Sequence, residues 1–90
     1  MYLMNKIKAY VKARDEMLRK RSVAELERFV EAHKEDLAEG FAKRFKSAPQ
    51  KVKEATLHKM IVNATSLPDT MRDESAAWLI EHGFGVGIGG

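Results

Sequence analysis

The chain has 90 residues, of which 44% are apolar and 32% are charged, with a formal net charge of +3. A chain of this length forms one small domain, and its composition excludes both a disordered segment and a membrane protein. It contains no cysteine, which excludes disulfides, thiolate metal sites and thiol nucleophiles.

The N-terminal residues, MYLMNKIKAYVK, lack the apolar core and the small-residue cleavage site of a signal peptide. No apolar run approaches the length needed to span a bilayer. A small domain without disulfides fits a reducing compartment better than secretion. We therefore expect a cytoplasmic protein that has no membrane partner.

The first predicted helix covers residues 3–20. Its apolar residues are spaced three and four apart, which is typical of an amphipathic helix. Arg14 falls on the apolar face, where its stem can be buried while its charge stays in water. The residues that form this pattern are Leu3, Met4, Ile7, Tyr10, Val11, Met17 and Leu18.

The second predicted helix begins after Ser22, because Ser22 and Glu25 form a capping box. Gly40 interrupts its apolar stripe and costs about 1 kcal/mol relative to alanine in a helix. The helix either continues through Gly40 or breaks between His33 and Gly40. Since the stripe passes the glycine in register, we predict one long helix over residues 23–45.

Two further helices are indicated by SAPQ and SLPD, where a serine precedes a proline by two residues. Proline is favoured in the first turn of a helix because its missing N–H is not needed there. The predicted bounds are 49–65 and 68–82. The predicted caps are Ser47 and Ser66, with Pro49 and Pro68 in the first turns.

The C-terminal residues, GFGVGIGG, match the dinucleotide-binding pattern G-x-G-x-x-G, but that pattern requires a strand before it and a helix after it. Here a helix precedes it. Gly83 directly follows that helix and is suited to the left-handed conformation that ends helices. We expect Phe84 to pack back on Leu79, and we predict a flexible tail over residues 85–90.

The predicted fold is therefore all-α: a compact antiparallel bundle of three to four helices. Residues 1–84 form one domain in this prediction. The predicted core consists of Ile7, Val11, Leu18, Leu26, Val30, Leu37, Phe41, Phe45, Val52, Met60, Ile61, Met71, Trp78 and Leu79.

Charge alternates along the chain. Residues 1–21 and 46–65 are basic, whereas residues 22–45 and 66–90 are acidic. Consecutive helices joined by short loops pack antiparallel, so each basic helix would lie beside an acidic one. We expect these charges to pair within the molecule, each exposed pair adding about 0–1 kcal/mol.

Groups that could carry chemistry are sparse. Glu54 and His58, four residues apart, could form half of a metal site, but no further ligands accompany them. His33 lies on an apolar face as a core histidine, and His82 lies at a helix end, where the helix dipole favours positive charge. We expect no catalytic residue, no metal and no cofactor, and hence no enzyme.

Nucleic-acid binding is the alternative function, because the first helix is basic. Its contacts would be Lys6, Lys12, Arg19 and Arg21. The third helix lacks the arginine and most of the amide side chains that read bases, and the acidic helices would repel phosphate. Pairing within the molecule therefore explains the charges more simply.

The stretch SLPDTMRDESAAWLIEHGF, residues 66–84, resembles the C-terminal end of small helical proteins carried by prophages and conjugative elements of Gram-positive gut bacteria. The resemblance rests on Pro68, on Trp78 and Leu79, and on EHGF at residues 81–84. It implies an accessory protein of a mobile element that acts on a host or phage protein. No activity is known for that family, so no functional residue follows from it.

The function that the sequence favours is a non-enzymatic protein–protein interaction module that self-associates. Its partner would be another copy of the chain or a different protein. Two features indicate this: a small core rich in adaptable methionine, and an apolar stripe on the first helix that is wide enough for a partner as well as the core.

Overall fold

The computed structural model describes residues 2–85, with side chains from residue 5 onward, and this part of the chain is all-helical, as predicted. None of the described helices is both long and apolar enough to cross a membrane. A 3-10 turn, Lys34–Asp36, precedes the third helix. The five α-helices of the described range are α1 (Tyr2–Arg19), α2 (Val23–Ala32), α3 (Phe41–Ser47), α4 (Gln50–Asn63) and α5 (Asp69–Glu81).

The single helix predicted over residues 23–45 is wrong. α2 ends at Ala32, and the chain breaks between His33 and Gly40, which was the alternative reading of the same residues. Gly40 has φ +79°, a left-handed conformation, and directly precedes α3. The predicted count of three to four helices therefore becomes five over the described range.

The break has a packing reason. In a continuous helix over residues 23–45, Phe41 would lie about 16 Å from Val30 along the helix axis. Folding back at residues 33–40 instead brings Leu37 and Phe41 against the main core. The apolar residues that suggested one helix are thus distributed over two helices and the segment between them.

The helix starts agree only in part with the predicted caps. Ser22 accepts from the backbone N–H of Glu25 at 3.3 Å, as predicted. Ser47 is instead the last residue of α3 and donates to the carbonyl of Lys43 at 3.1 Å. Ser66 donates to the carboxylate of Asp15. Neither serine caps a helix; the N-cap positions of α4 and α5 are held by the prolines Pro49 and Pro68.

The core has a larger part, to which all five helices contribute, and a smaller part between α4 and α5. Seven residues of the predicted core are buried: Leu18, Leu26, Val30, Phe45, Ile61, Met71 and Leu79. Five others are half-buried: Val11, Leu37, Phe41, Met60 and Trp78.

Two predicted core residues are exposed instead. Ile7 is 60% exposed and Val52 is 42% exposed. Ile7 lies in the half of α1 that the other helices do not cover, and Val52 lies one turn before Ala55, the first buried residue of α4. Conversely, the predicted core omits buried residues, namely Met17, Phe29, Ala55, Leu57, Val62, Ala64 and Leu67.

The end of α5 confirms the reading of Gly83 as a helix stop. Gly83 has φ +79°. Its N–H donates to the carbonyl of Ile80 at 3.1 Å, and the N–H of Phe84 donates to the carbonyl of Leu79 at 2.9 Å, which is a Schellman motif. Phe84 packs against the smaller core, as predicted. Most of the predicted tail over residues 85–90 lies outside the described residues.

Each basic helix has an acidic helix as its main neighbour, since α1 packs most against α2, and α4 most against α5. The two long-range ion pairs of the described residues do not join these neighbours. Lys53 of α4 pairs with Glu27 of α2 at 2.9 Å, and Arg21, which follows α1, pairs with Glu74 of α5 at 3.0 Å. Most other ion pairs among the described residues join neighbours on one helix or turn.

A substitution at Gly40 tests the break directly. We expect Gly40→Ala to destabilise the protein by roughly 1–2 kcal/mol, because an L-residue is strained in the left-handed conformation. The new Cβ would lie 2.9 Å from Nη1 of Arg44, a flexible group that can move aside. The measurement is the free energy of unfolding in urea.

Gly40→Asn is the matched control, and it should lose less stability because asparagine tolerates left-handed backbone better. In a continuous helix the sign would reverse, and Gly40→Ala would stabilise by about 1 kcal/mol. A stabilised alanine variant would therefore contradict the break.

Candidate functional site

The N-terminal half of α1 extends beyond the part of the helix that the core covers. All side chains from Asn5 to Ala9 are exposed. Tyr10 is the first described residue of α1 that packs against the core, and burial becomes complete only at Met17 and Leu18. The segment from Asn5 to Ala9, about one and a half turns, therefore has little packing from the rest of the domain.

One side of α1, which carries a shallow depression, is here called the outer face. Ile7 and Val11, one turn apart, form its apolar row. Charged residues flank this row, and together they enclose a shallow depression of about 510 Å³. The outer face consists of Ile7, Lys8, Val11, Lys12, Asp15, Glu16 and Arg19.

Charges on the outer face are grouped along the helix. Lys8 and Lys12 lie toward the N-terminus of α1, Asp15 and Glu16 follow them, and Arg19 comes last. Asp15 is held within the domain by Arg14, at 3.1 Å, and by the hydroxyl of Ser66. The ion pairs found among the described residues do not include Lys8, Lys12 or Glu16.

The four residues predicted as nucleic-acid contacts do not form one cluster. Lys6, Lys12 and Arg19 are exposed on α1 and belong to none of the ion pairs of the described range. Arg21 is held by Glu74 of α5. Lys6 and Arg19 are 13 residues apart on one helix, which places them about 20 Å apart along its axis.

A second cluster joins α4 to α5 around the indole of Trp78. The rings of His58 and His82 stack on Trp78, with centroid distances of 4.4 and 4.0 Å. The Nδ1–H of His82 donates to the carbonyl of Trp78 at 2.8 Å. Nζ of Lys51 lies 5.6 Å from the Trp78 ring centre, where a cation interacts favourably with the ring face.

Nδ1 of His58 and Oγ of Ser75 lie 2.9 Å apart and share a hydrogen bond. This pairs a hydroxyl with a histidine, the first requirement of a nucleophile and its base. However, Ser75 is only 2% exposed, so its oxygen is covered by protein. The pair can hold α4 against α5, but a substrate cannot reach the hydroxyl in this conformation.

Burial lowers the pKa of His58 below its ordinary value of 6.5. The negative charge of Glu54 opposes this shift, while the positive charges of Arg21 and His82 add to it. The imidazole of His58 is consequently neutral near neutral pH, which suits a hydrogen bond with a hydroxyl and a stack on indole.

The sequence places Ser75 on the inner side of its helix but gives no sign of its partner. His58 and Ser75 are 17 residues apart, and only the packing of α4 on α5 brings them together. The proposed half-site of Glu54 and His58 gains no further ligand: within residues 2–85, no group of three or more histidine or acidic side chains is arranged to hold a metal ion.

His33 occupies the environment expected of a core histidine. It is half-buried, and its ring lies 4.4 Å from that of Phe29 and 5.4 Å from that of Tyr10. Its Nδ1 is 3.8 Å from a carboxylate oxygen of Asp36, in the turn that follows α2.

No protein-family model, no curated protein sequence and no solved structure matches this chain. The geometry of the described residues is therefore the basis on which a function can be proposed.

The lowered pKa of His58 predicts how stability depends on pH. The unfolded chain takes up a proton at His58 below about pH 6.5, while the folded protein resists that proton until its lower pKa is reached. We expect the contribution of His58 to be complete above pH 6.5 and to be lost as the pH falls below it. Urea unfolding at pH 7.5 and pH 5.5 measures the difference.

His58→Gln should remove this part of the pH dependence, because glutamine can bond to Ser75 without titrating. His33→Gln, a histidine outside the cluster, should leave it in place. Equal pH dependence in wild type and His58→Gln would contradict the lowered pKa.

Proposed function

We propose that this protein is a non-enzymatic, helical protein–protein interaction module that self-associates through the outer face of α1. One observation carries the proposal: every side chain of α1 from Asn5 to Ala9 is exposed, and Ile7 among them is 60% exposed. A helix without tertiary contacts is marginally stable in water, so these turns gain most from a partner that covers them.

The energy available from such a contact is substantial for a small domain. Burying an isoleucine side chain fully is worth about 1.5–3 kcal/mol relative to leaving it exposed. In a two-fold dimer each contact occurs twice, because the same surface is used by both copies. Ile7 and Val11 would therefore supply the apolar centre, with charged side chains at the rim.

The charges of the outer face favour a second copy of the chain as the partner. If two α1 helices pack antiparallel with the two-fold axis near Val11 and Lys12, Lys8 of one copy lies opposite Asp15 and Glu16 of the other. Glu16 is the acidic partner with no ion pair in the described range. Such rim pairs add little affinity, but they select the register and direction of pairing.

The remaining parts of the proposal concern context. The domain would span residues 1–84 as an antiparallel up-and-down bundle, which its short connections favour. It would work in the cytoplasm without metal or cofactor. Following the resemblance of residues 66–84, it would serve as an accessory protein of a mobile element. A different protein, from host or phage, could replace the second copy at the same surface.

Ile7→Asp should abolish self-association, because it removes apolar area from the contact and places a carboxylate opposite Glu16 of the other copy. Ile80→Asp is the matched control: Ile80 is 62% exposed on α5, so the same change there should leave association intact. Size-exclusion chromatography with light scattering, over a range of protein concentrations, gives the mass. A wild-type monomer at high concentration would refute the proposal.

A charge exchange tests the antiparallel arrangement. Lys8→Glu and Glu16→Lys should each weaken the dimer about tenfold, since each creates two like-charge contacts worth roughly 1 kcal/mol in total or slightly more. The double variant, Lys8→Glu with Glu16→Lys, should bind more tightly than either single variant, because the exchanged charges pair again while Asp15 still opposes the carboxylate at position 8. A double variant weaker than both single variants would contradict this pairing.

Nucleic-acid binding is the second candidate, and one observation favours it: Lys6, Lys12 and Arg19 are exposed on α1 and form no ion pair with another described residue. Against it, Glu16 lies between these cations, and Arg21 is held by Glu74. The apolar side chains of the outer face would also make no favourable contact with a phosphate backbone.

We expect the protein to produce no mobility shift of duplex DNA or single-stranded RNA at low salt, where electrostatic binding is strongest. The contradicting result is a shift that weakens steeply as salt is raised and is lost when Lys6, Lys12 and Arg19 are changed to glutamine. Nucleic-acid binding would then replace self-association as the proposed function of α1.

A further inference from the structure

A groove opens on another side of the domain, where α2, the segment before α3, and α4 meet. Its apolar wall is formed by Phe29, Val30, Leu37, Phe41 and Met60. Its volume is about 320 Å³, at the lower end of the roughly 300–1,000 Å³ found for small-molecule sites. This groove is separate from the outer face of α1, with which it shares no residue.

The break between α2 and α3 creates part of this wall. Leu37 is in an extended conformation after the 3-10 turn, and Phe41 begins α3 after the left-handed Gly40. Leu37, Phe41 and Met60 are only half-buried, although they pack against the core. Part of the apolar surface of these three side chains is thus exposed to solvent in the groove.

Polar groups at the rim of the groove carry one sign of charge. Arg14, Thr56, Lys59 and Asn63 line it, and among the described lining residues there is no aspartate or glutamate. Lys59 and Asn63 are one turn apart on α4, and Lys59 belongs to none of the ion pairs of the described range. Arg14 shares its charge with Asp15 at 3.1 Å, which leaves Lys59 as the main cation of the rim.

We infer that this groove binds a small anionic amphiphile: a single short acyl or aryl body on the apolar wall, with its carboxylate at Lys59 and Asn63. The ammonium of Lys59 donates to the carboxylate, and the amide of Asn63 can donate as well. The apolar body covers the half-buried side chains of Leu37, Phe41 and Met60. This inference is independent of self-association through α1.

The test is an NMR titration of the ¹⁵N-labelled full chain with decanoate, below the concentration at which decanoate aggregates. Backbone amide shifts should change around Leu37, Phe41, Lys59 and Asn63. Decanol, with the same chain and no charge, should bind at least tenfold more weakly, because it cannot form charge-assisted hydrogen bonds. Acetate, which has the charge without the chain, should cause no saturable shift in the groove.

Lys59→Gln should weaken decanoate binding about tenfold, since it removes a hydrogen bond to a charged group, and should leave decanol binding unchanged. Lys51→Gln, on the same helix but outside the groove, should leave both unchanged. Asn63→Leu is a second variant that removes a rim donor without touching the wall, and circular dichroism checks that each variant is folded.

Three results would overturn the inference: shifts confined to α1, equal affinity for decanoate and decanol, or Lys59→Gln binding decanoate as wild type does. A fourth is an absence of saturable shifts in the groove at any decanoate concentration used.

Discussion

The domain has apolar residues for one small core, and that core covers α1 only from Tyr10 onward. The C-terminal half of α1 is fixed by burial of Met17 and Leu18, and by Asp15, which accepts from Ser66 in the turn between α4 and α5. The N-terminal half has no comparable anchor among the described residues. The proposed self-association depends on this asymmetry, because a helix that is fixed at one end leaves the side chains of its other end, including Ile7, exposed.

The second constraint is the break between α2 and α3. It divides the apolar stripe of residues 23–45 between two helices, and it brings Leu37 and Phe41 against the main core. Leu37 and Phe41 are only half-buried there, and a groove lies between them and Lys59. A single backbone feature, the left-handed Gly40, thus contributes both to the compactness of the fold and to its open apolar surface.

Local signals in the sequence predict part of the helix boundaries, because caps and glycine stops act over three or four residues, but Ser47 and Ser66 do not cap the helices that follow them. Ser22 and Gly83 behave as their neighbours indicate. Periodicity is less informative where burial depends on several partners. α4 packs against α1, α2 and α5, so it buries Leu57 and Val62 as well as Ile61, and no single apolar face describes it. The predicted burial of Ile7 is wrong for the opposite reason. Its helix has an apolar stripe, but no neighbouring helix covers that part of the stripe. The bond between His58 and Ser75 was unpredictable, since a contact 17 residues apart leaves no periodic pattern.

The most direct test of the account is amide hydrogen exchange along α1 as a function of protein concentration. Amides of residues 5–11 should become more protected as the concentration rises, because a second copy covers the helix half that the domain leaves exposed. Amides of α4 and α5 should not change and serve as the internal reference. Protection of residues 5–11 that is the same at the lowest and highest concentrations would contradict the claim that a second copy completes this helix.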